Sequence, residues 1–150
     1  MSYQRTFAML KPGVLQRRIS GDIISRIDRK GLKILALKMM VIDKPLAERH
    51  YAEHQDKPFF TELVSYMTSG PVLAMVLAGE HAVHQLRVLC GPTNPDQAPP
   101  GTIRGDFSEI MNRNVIHASD SPESAEREIG LFFTDQEIHE YEDDNDKWIY

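Results

Sequence analysis

Residues 113–121, RNVIHASDS, set one histidine inside a short apolar run and follow it with small, hydroxylated and acidic side chains. Read as a strand, the run alternates, with Val115, His117 and Ser119 on one face and Asn114, Ile116 and Ala118 on the other. Ser121 and Pro122 then read as the cap and first position of a helix, whose N-terminus favours anions. Ala118 leaves room beside His117, and Glu128 lies further along the same helix. A carboxylate bonded to one imidazole nitrogen fixes the tautomer and leaves the other nitrogen free to attack an electrophile. The competing reading is a histidine that is merely packed and hydrogen-bonded.

A nucleophile of this kind needs cations for an anionic substrate. The chain has no G-x-x-x-x-G-K-[ST] cradle and none of the protein-kinase signature set, so phosphates would have to be held by side chains. Lys11 at a strand end, Arg87 on a helix, and Thr93 and Arg104 in a long loop are the candidates, although each alone also reads as a surface residue. A different chemistry is written in HYAEH, residues 50–54, which fits the inverted zinc-peptidase pattern H-x-x-E-H. On one helix, His50 and His54 would face the same way with Glu53 as base, giving a zinc-dependent hydrolase.

The elements that must position these groups are readable from periodicity. Residues 5–10 read as a buried strand. Residues 20–31 read as a helix, with Ser20 as cap, Ile23, Ile24 and Ile27 on one face and Gly31 at its end. Residues 32–42 form a second strand, 45–54 a helix opened by Pro45, and 58–67 a short helix. Residues 70–79 are a third, buried strand, and 80–91 a helix with Val83, Leu86 and Cys90 on one face and Gly91 ending it. Residues 92–113 form a proline-rich loop without strong periodicity, and loops this long inside a compact domain are usually functional or disordered. Residues 114–119 give the fourth strand and 121–133 the last helix. The order implies an α+β, ferredoxin-like βαββαβ plan with a four-stranded antiparallel sheet, extra helices and a long active-site loop.

Composition narrows the class. The chain has 150 residues, 41% hydrophobic and 26% charged, which suits one soluble domain over 1–150. A single cysteine, Cys90, excludes a disulfide framework within the chain and fits a reducing, cytoplasmic setting. We expect no signal peptide and no membrane span. The net charge of −5 is concentrated at the end: residues 135–150 hold seven acids and one base, a solvated acidic tail, while the remainder is near neutral. No basic stripe points to nucleic acid.

Several stretches together carry a resemblance: RTFAMLKP, HYAEHQDKPFF, YMTSGPVLAMV, GPTNPDQAPPGTIRGDF, RNVIHASDSPESAEREIGLFF and the closing WIY. End to end, the chain resembles nucleoside diphosphate kinases. The resemblance implies a ping-pong enzyme in which His117 takes the γ-phosphoryl group of one nucleoside triphosphate, mainly ATP, and passes it to another diphosphate. It implies a catalytic set of His117, Glu128, Ser119 and Lys11, with Glu128 orienting the ring and Ser119 supporting that contact. Lys11, Arg87, Thr93 and Arg104 would hold phosphates, and Lys11 and Asn114 the sugar. Phe59 and Met111 would flank the base, with Tyr51 in the same cleft. Mg²⁺ would enter on the substrate's phosphates, with Asp120 as an indirect partner. The resemblance also implies a homohexamer built as a trimer of dimers. A relative that binds nucleotide without catalysis is the other reading from this family. Two departures stand out. The first loop reads KPGVLQR where the family has KPDGVQR, which places Gly13 and Val14 at the acidic and glycine positions. The chain also ends at Tyr150, without the final Glu of some members.

Overall fold

A computed structural model describes residues 2–150. Strands β1 (Tyr3–Leu10), β2 (Lys33–Met40), β3 (Val72–Glu80) and β4 (Ile116–Ala118) form one antiparallel sheet in the order β2-β3-β1-β4. Helix α1 (Ser20–Lys30) links β1 to β2, α2 (Lys44–His50) and α3 (Phe60–Met67) lead to β3, and α4 (Ala82–Cys90) leaves it. A short helix α5 (Ile103–Phe107) precedes β4, and α6 (Pro122–Phe132) and α7 (Asp146–Ile149) complete the chain. This is the ferredoxin-like α+β arrangement expected from the sequence, with its additions between β2 and β3 and between α4 and β4.

Strand alternation builds two cores on the two sheet faces. Phe7, Met9, Ala74, Val76 and Ala78 pack with Leu46, Val64, Ile129 and Phe132 of α2, α3 and α6. Ala8, Leu10, Leu73, Met75 and Leu77 pack with Ile23 and Ile27 of α1 and Leu86 and Cys90 of α4. Each fully buried side chain of Leu, Ile, Phe or Met size contributes roughly 1.5–3 kcal/mol. Covered on both faces, β3 reads as a continuous apolar run, buried from Val72 to Gly79. Edge strand β2 differs. A bulge between Ile34 and Ala36 shifts its alternation, and Leu37 and Met39 end up 47% and 62% exposed.

Four local expectations change in the fold. Ser20 is the first helical residue, not the cap: Ile23 N–H already bonds Ile19 O, so Ile19 holds the cap position. The helix expected over 45–54 stops at His50, and residues 52–54 form a separate 3₁₀ turn. The loop of 92–113 is structured, with 3₁₀ turns at Pro95–Gln97 and Met111–Arg113 around α5. Val115 leaves the extended strand with φ 65° and packs with Ile116 and Ala118 in the α1/α4 core, not on the face of His117. In the first loop, Gly13 takes φ 99°, a conformation that suits glycine, and Val14 is buried. The changed residues at 13 and 14 thus supply a left-handed turn and a core contact.

Candidate active site

Three side chains from two elements converge on β4. His117 pairs with Met9 of β1, in the register Met9↔His117. Its Nε2 lies 2.8 Å from Glu128 Oε1 on α6, and Ser119 Oγ donates to the same carboxylate oxygen at 2.6 Å. Ser121 Oγ accepts from Ser124 N–H and Pro122 opens α6, so the turn between strand and helix is short and capped, as the sequence implied. Burial opposes ionisation of Glu128, but the hydrogen bonds from His117 and Ser119 outweigh it and hold its carboxyl below the usual range. An ionised Glu128 is an acceptor only, so Nε2 carries a proton, and in the neutral tautomer of that ring the lone pair lies on Nδ1. The ring is boxed by Phe7 at 5.9 Å and by His50, edge-on at 4.6 Å.

The backbone under His117 is held in an unusual state. Val115 is β-branched yet has positive φ, a strained combination that surroundings must enforce. Arg104 enforces it. Buried at 5% exposure, its guanidinium donates to the carbonyls of Asn114, Ile116 and Gly91 at 3.3, 2.6 and 2.8 Å, while Lys11 N–H donates to Val115 O at 2.9 Å. Asn114 accepts from Lys11 Nζ at 2.7 Å and donates to Thr93 O at 3.1 Å. Arg87 on α4 donates to Ala118 O at 3.2 Å. Burial, with the charge of Arg104 beside it, lowers the Lys11 pKa to about 7.

These groups surround one cavity of about 420 Å³, which Lys11, Tyr51, Arg87, Thr93, Arg104, Asn114, His117, Asp120 and Glu128 all line. The sequence candidates for nucleophile, ring partner and phosphate ligands are therefore in one place. Ser119 lies just behind, fully buried. Phe59 does not line this cavity. It lines a neighbouring cleft of about 100 Å³ with Leu63, Tyr66 and Arg113, and Met111 stands exposed on the 3₁₀ turn that also carries Arg113. Tyr51 is buried with an unpartnered hydroxyl, and burial raises its pKa.

The H-x-x-E-H reading fails on geometry. Because α2 ends at His50, His50 and His54 do not share a helical face. His50 turns inward to His117, while His54 stands on the separate turn, 3.6 Å from the adjacent Glu53 and with its ring 5.7 Å from that of Phe59. Sequence reasoning missed three features of the site. His50 is a ring neighbour of His117, Arg127 of α6 is a further cation on the cavity wall, and Gly105 sits where an added Cβ would collide with the Pro99 carbonyl oxygen. The i, i+3 spacing from Ser124, which also lines the cavity, could have signalled Arg127. Nothing local could have signalled the Gly105–Pro99 approach.

The arrangement offers an oriented imidazole on the wall of a cavity that Lys11, Arg87, Arg104 and Arg127 also line, which suits attack on a polyanionic phosphorus centre. Comparison with known proteins agrees with that chemistry. The family model described as nucleoside diphosphate kinase matches residues 4–138. A nucleoside diphosphate kinase of Archaeoglobus fulgidus is 58% identical over 147 residues, covering 98% of this chain and 97% of its own. One of Staphylococcus saprophyticus is 54% identical, covering 98% and 99%. A solved structure of a Halobacterium salinarum nucleoside diphosphate kinase in complex with CDP superposes with a TM-score of 0.96 at 50% identity, covering 99% of each chain. By its sheet order, the clustering of its site and these likenesses, the chain belongs to the nucleoside diphosphate kinase family.

Proposed function

We propose that the chain is a single-domain nucleoside diphosphate kinase that moves the γ-phosphoryl group of a nucleoside triphosphate, mainly ATP, to a nucleoside diphosphate through phospho-His117. One observation carries the reading. The His117–Glu128 hydrogen bond of 2.8 Å occupies Nε2 and leaves Nδ1 as the uncommitted ring nitrogen beside a cation-lined cavity. In the first half-reaction the Nδ1 lone pair forms the N–P bond as the bond from Pγ to the β,γ-bridging oxygen breaks, and the diphosphate leaves with that electron pair. In the second, a terminal oxygen of the incoming diphosphate forms the new P–O bond as N–P breaks, and the lone pair returns to Nδ1. A phosphorylated imidazole is a high-energy species, so neither half-reaction climbs far. Glu128 stabilises the positive charge that grows on the ring, and Ser119 fixes Glu128.

Lys11, Arg87, Thr93 and Arg104 are assigned to phosphate, and Lys11 and Asn114 to the sugar. Of the five N–H groups of Arg104, three already bind backbone, which leaves its charge and two donors for the ligand. Phe59 and Met111 are assigned to the base; both are exposed, and neither reads a hydrogen-bonding edge, so the enzyme should be tolerant of base. The donor set fits Mg²⁺ carried by substrate. The exposed carboxylate of Asp120 on the cavity wall can meet a hydrated ion. When bound, Mg²⁺ neutralises phosphate charge. The exposed apolar edge of β2 supports a homo-oligomer, which we assign as a hexamer of three dimers, and the lone buried Cys90 supports a cytoplasmic setting.

Incubation with γ-labelled ATP tests the reading. The parent chain should acquire acid-labile, base-stable label that a diphosphate chase removes, and His117→Ala should acquire none. Equal labelling of both would remove His117 as nucleophile.

A further inference from the structure

His50 is an anomaly in this site. It is 4% exposed, yet both ring nitrogens lack any hydrogen-bond partner in the protein. A buried imidazole left this way costs stability, so an unpartnered pair of nitrogens on a cavity wall asks for a ligand. One ligand atom from His50, one from His117 and one from Glu128 all lie within 4.8 Å of each other. Around a tetrahedral ion with bonds of 2.0–2.1 Å, donor atoms stand roughly 3.4 Å apart, so side-chain shifts of about 1.4 Å or less close the set.

We propose that His50, His117 and Glu128 form a binding site for a borderline transition-metal ion of the Zn²⁺ class, and that its occupation switches the enzyme off. The inference rests on the reading of His117 as the phosphoryl carrier. Two imidazoles and one carboxylate are a zinc-type donor set, whereas Mg²⁺ takes oxygen ligands. The cavity leaves a fourth position for water. The consequence for catalysis does not depend on which nitrogen of His117 binds. Coordination through Nδ1 occupies the lone pair that attacks. Coordination through Nε2 displaces the proton held by Glu128 and removes the contact that orients the ring.

The test begins with metal alone. Co²⁺ added to the nucleotide-free chain should give the visible bands of a four- or five-coordinate ion, and Zn²⁺ should erase them. His50→Phe keeps a ring against His117 and removes both donors; it should weaken Co²⁺ binding by at least about tenfold, as should His50→Gln. No bands in the parent chain, or equal binding by both variants, overturns the proposal. In the second arm the chain is loaded with Zn²⁺, desalted and given Mg²⁺-ATP. Phosphoenzyme should fall at least about tenfold in the parent chain and recover on chelation. Bands with undiminished labelling overturn the inhibitory role. Bands with no label even without Zn²⁺ leave the metal site standing and instead defeat His117 as phosphoryl carrier.

Discussion

At the scale of single residues, the site depends on two protonation states. Glu128 is a positioning residue, because it touches His117 and Ser119 and acts through the ring. Glu128→Gln should slow phosphorylation of His117 by about 10–10²-fold, since a hydrogen bond to a charged group is worth roughly 1.5–3 kcal/mol, while nucleotide affinity holds. A single-turnover rate equal to that of the parent chain would contradict this. Lys11 provides the pH dependence. Its pKa is about 7 without ligand, and bound phosphates must raise it, since the charged ammonium then gains anionic partners. The sign follows: binding takes up a proton wherever free Lys11 is neutral, so diphosphate affinity falls as pH rises through about 7. Calorimetry at pH 8 in two buffers of different ionisation enthalpy should report uptake of about one proton, lost in Lys11→Met. Heats that are independent of buffer would mean that Lys11 is charged throughout.

At the scale of elements, the β4–α6 turn and the 92–113 loop do the positioning. Ser121 Oγ satisfies an otherwise free N–H at the start of α6, the helix that carries Glu128. Ser121→Ala should cost about 1 kcal/mol and lower Tm by about 2–4 °C in thermal unfolding. An unchanged Tm would show that water replaces the cap. Gly105 lies in α5 against Pro99, and Thr102 Oγ1 accepts from Gly105 N–H at 3.0 Å and donates to Pro99 O at 2.7 Å. Because α5 also carries Arg104, Gly105→Ala should push that guanidinium off the carbonyls around Val115. We expect nucleotide affinity to drop by about tenfold or more even where the fold survives, since 1.4 kcal/mol suffices. Parent-like affinity in a titration would show that the loop yields without moving Arg104. The helical pattern of 45–54 was legible, but the break at Tyr51 was not, because it is made by tertiary contact: His50 turns into the space between Phe7, Phe132 and His117.

At the scale of the molecule, edge strand β2 is covered along part of its length, where His139 N–H donates to Leu35 O at 2.9 Å and Tyr141 Oη to Ile34 O at 2.9 Å. Leu37 and Met39 are exposed on β2, and an apolar edge strand is normally covered by another chain. Sedimentation should report about six chains of 17.1 kDa, and the pair Leu37→Glu with Met39→Lys should shift the mass to smaller species. A parent chain that sediments as a monomer would refute the assembly. The C-terminus behaves in two ways. Tyr150 Oη accepts from Glu80 N–H at 3.0 Å and Ile149 lies against Gly31, while Trp148 is 80% exposed. Among the described residues, no helix is long and apolar enough to cross a membrane.

The strands and major helices were determined by the sequence itself, because period-2 and period-3.6 apolar patterns are local and leave few alternatives. The pairing of His117 with Glu128 was legible as one of two readings, because a capped turn joins β4 to α6 and puts Glu128 on the helix that follows, but the 2.8 Å contact itself is tertiary. Local pattern could not decide which residues bind the long loop to the site. Arg104 meets the carbonyls of 91, 114 and 116, Lys11 meets Asn114, and Val115 is forced to positive φ between them. Those contacts join segments far apart in sequence, and only burial in a common core makes a strained backbone and a half-neutral lysine the lowest free-energy arrangement.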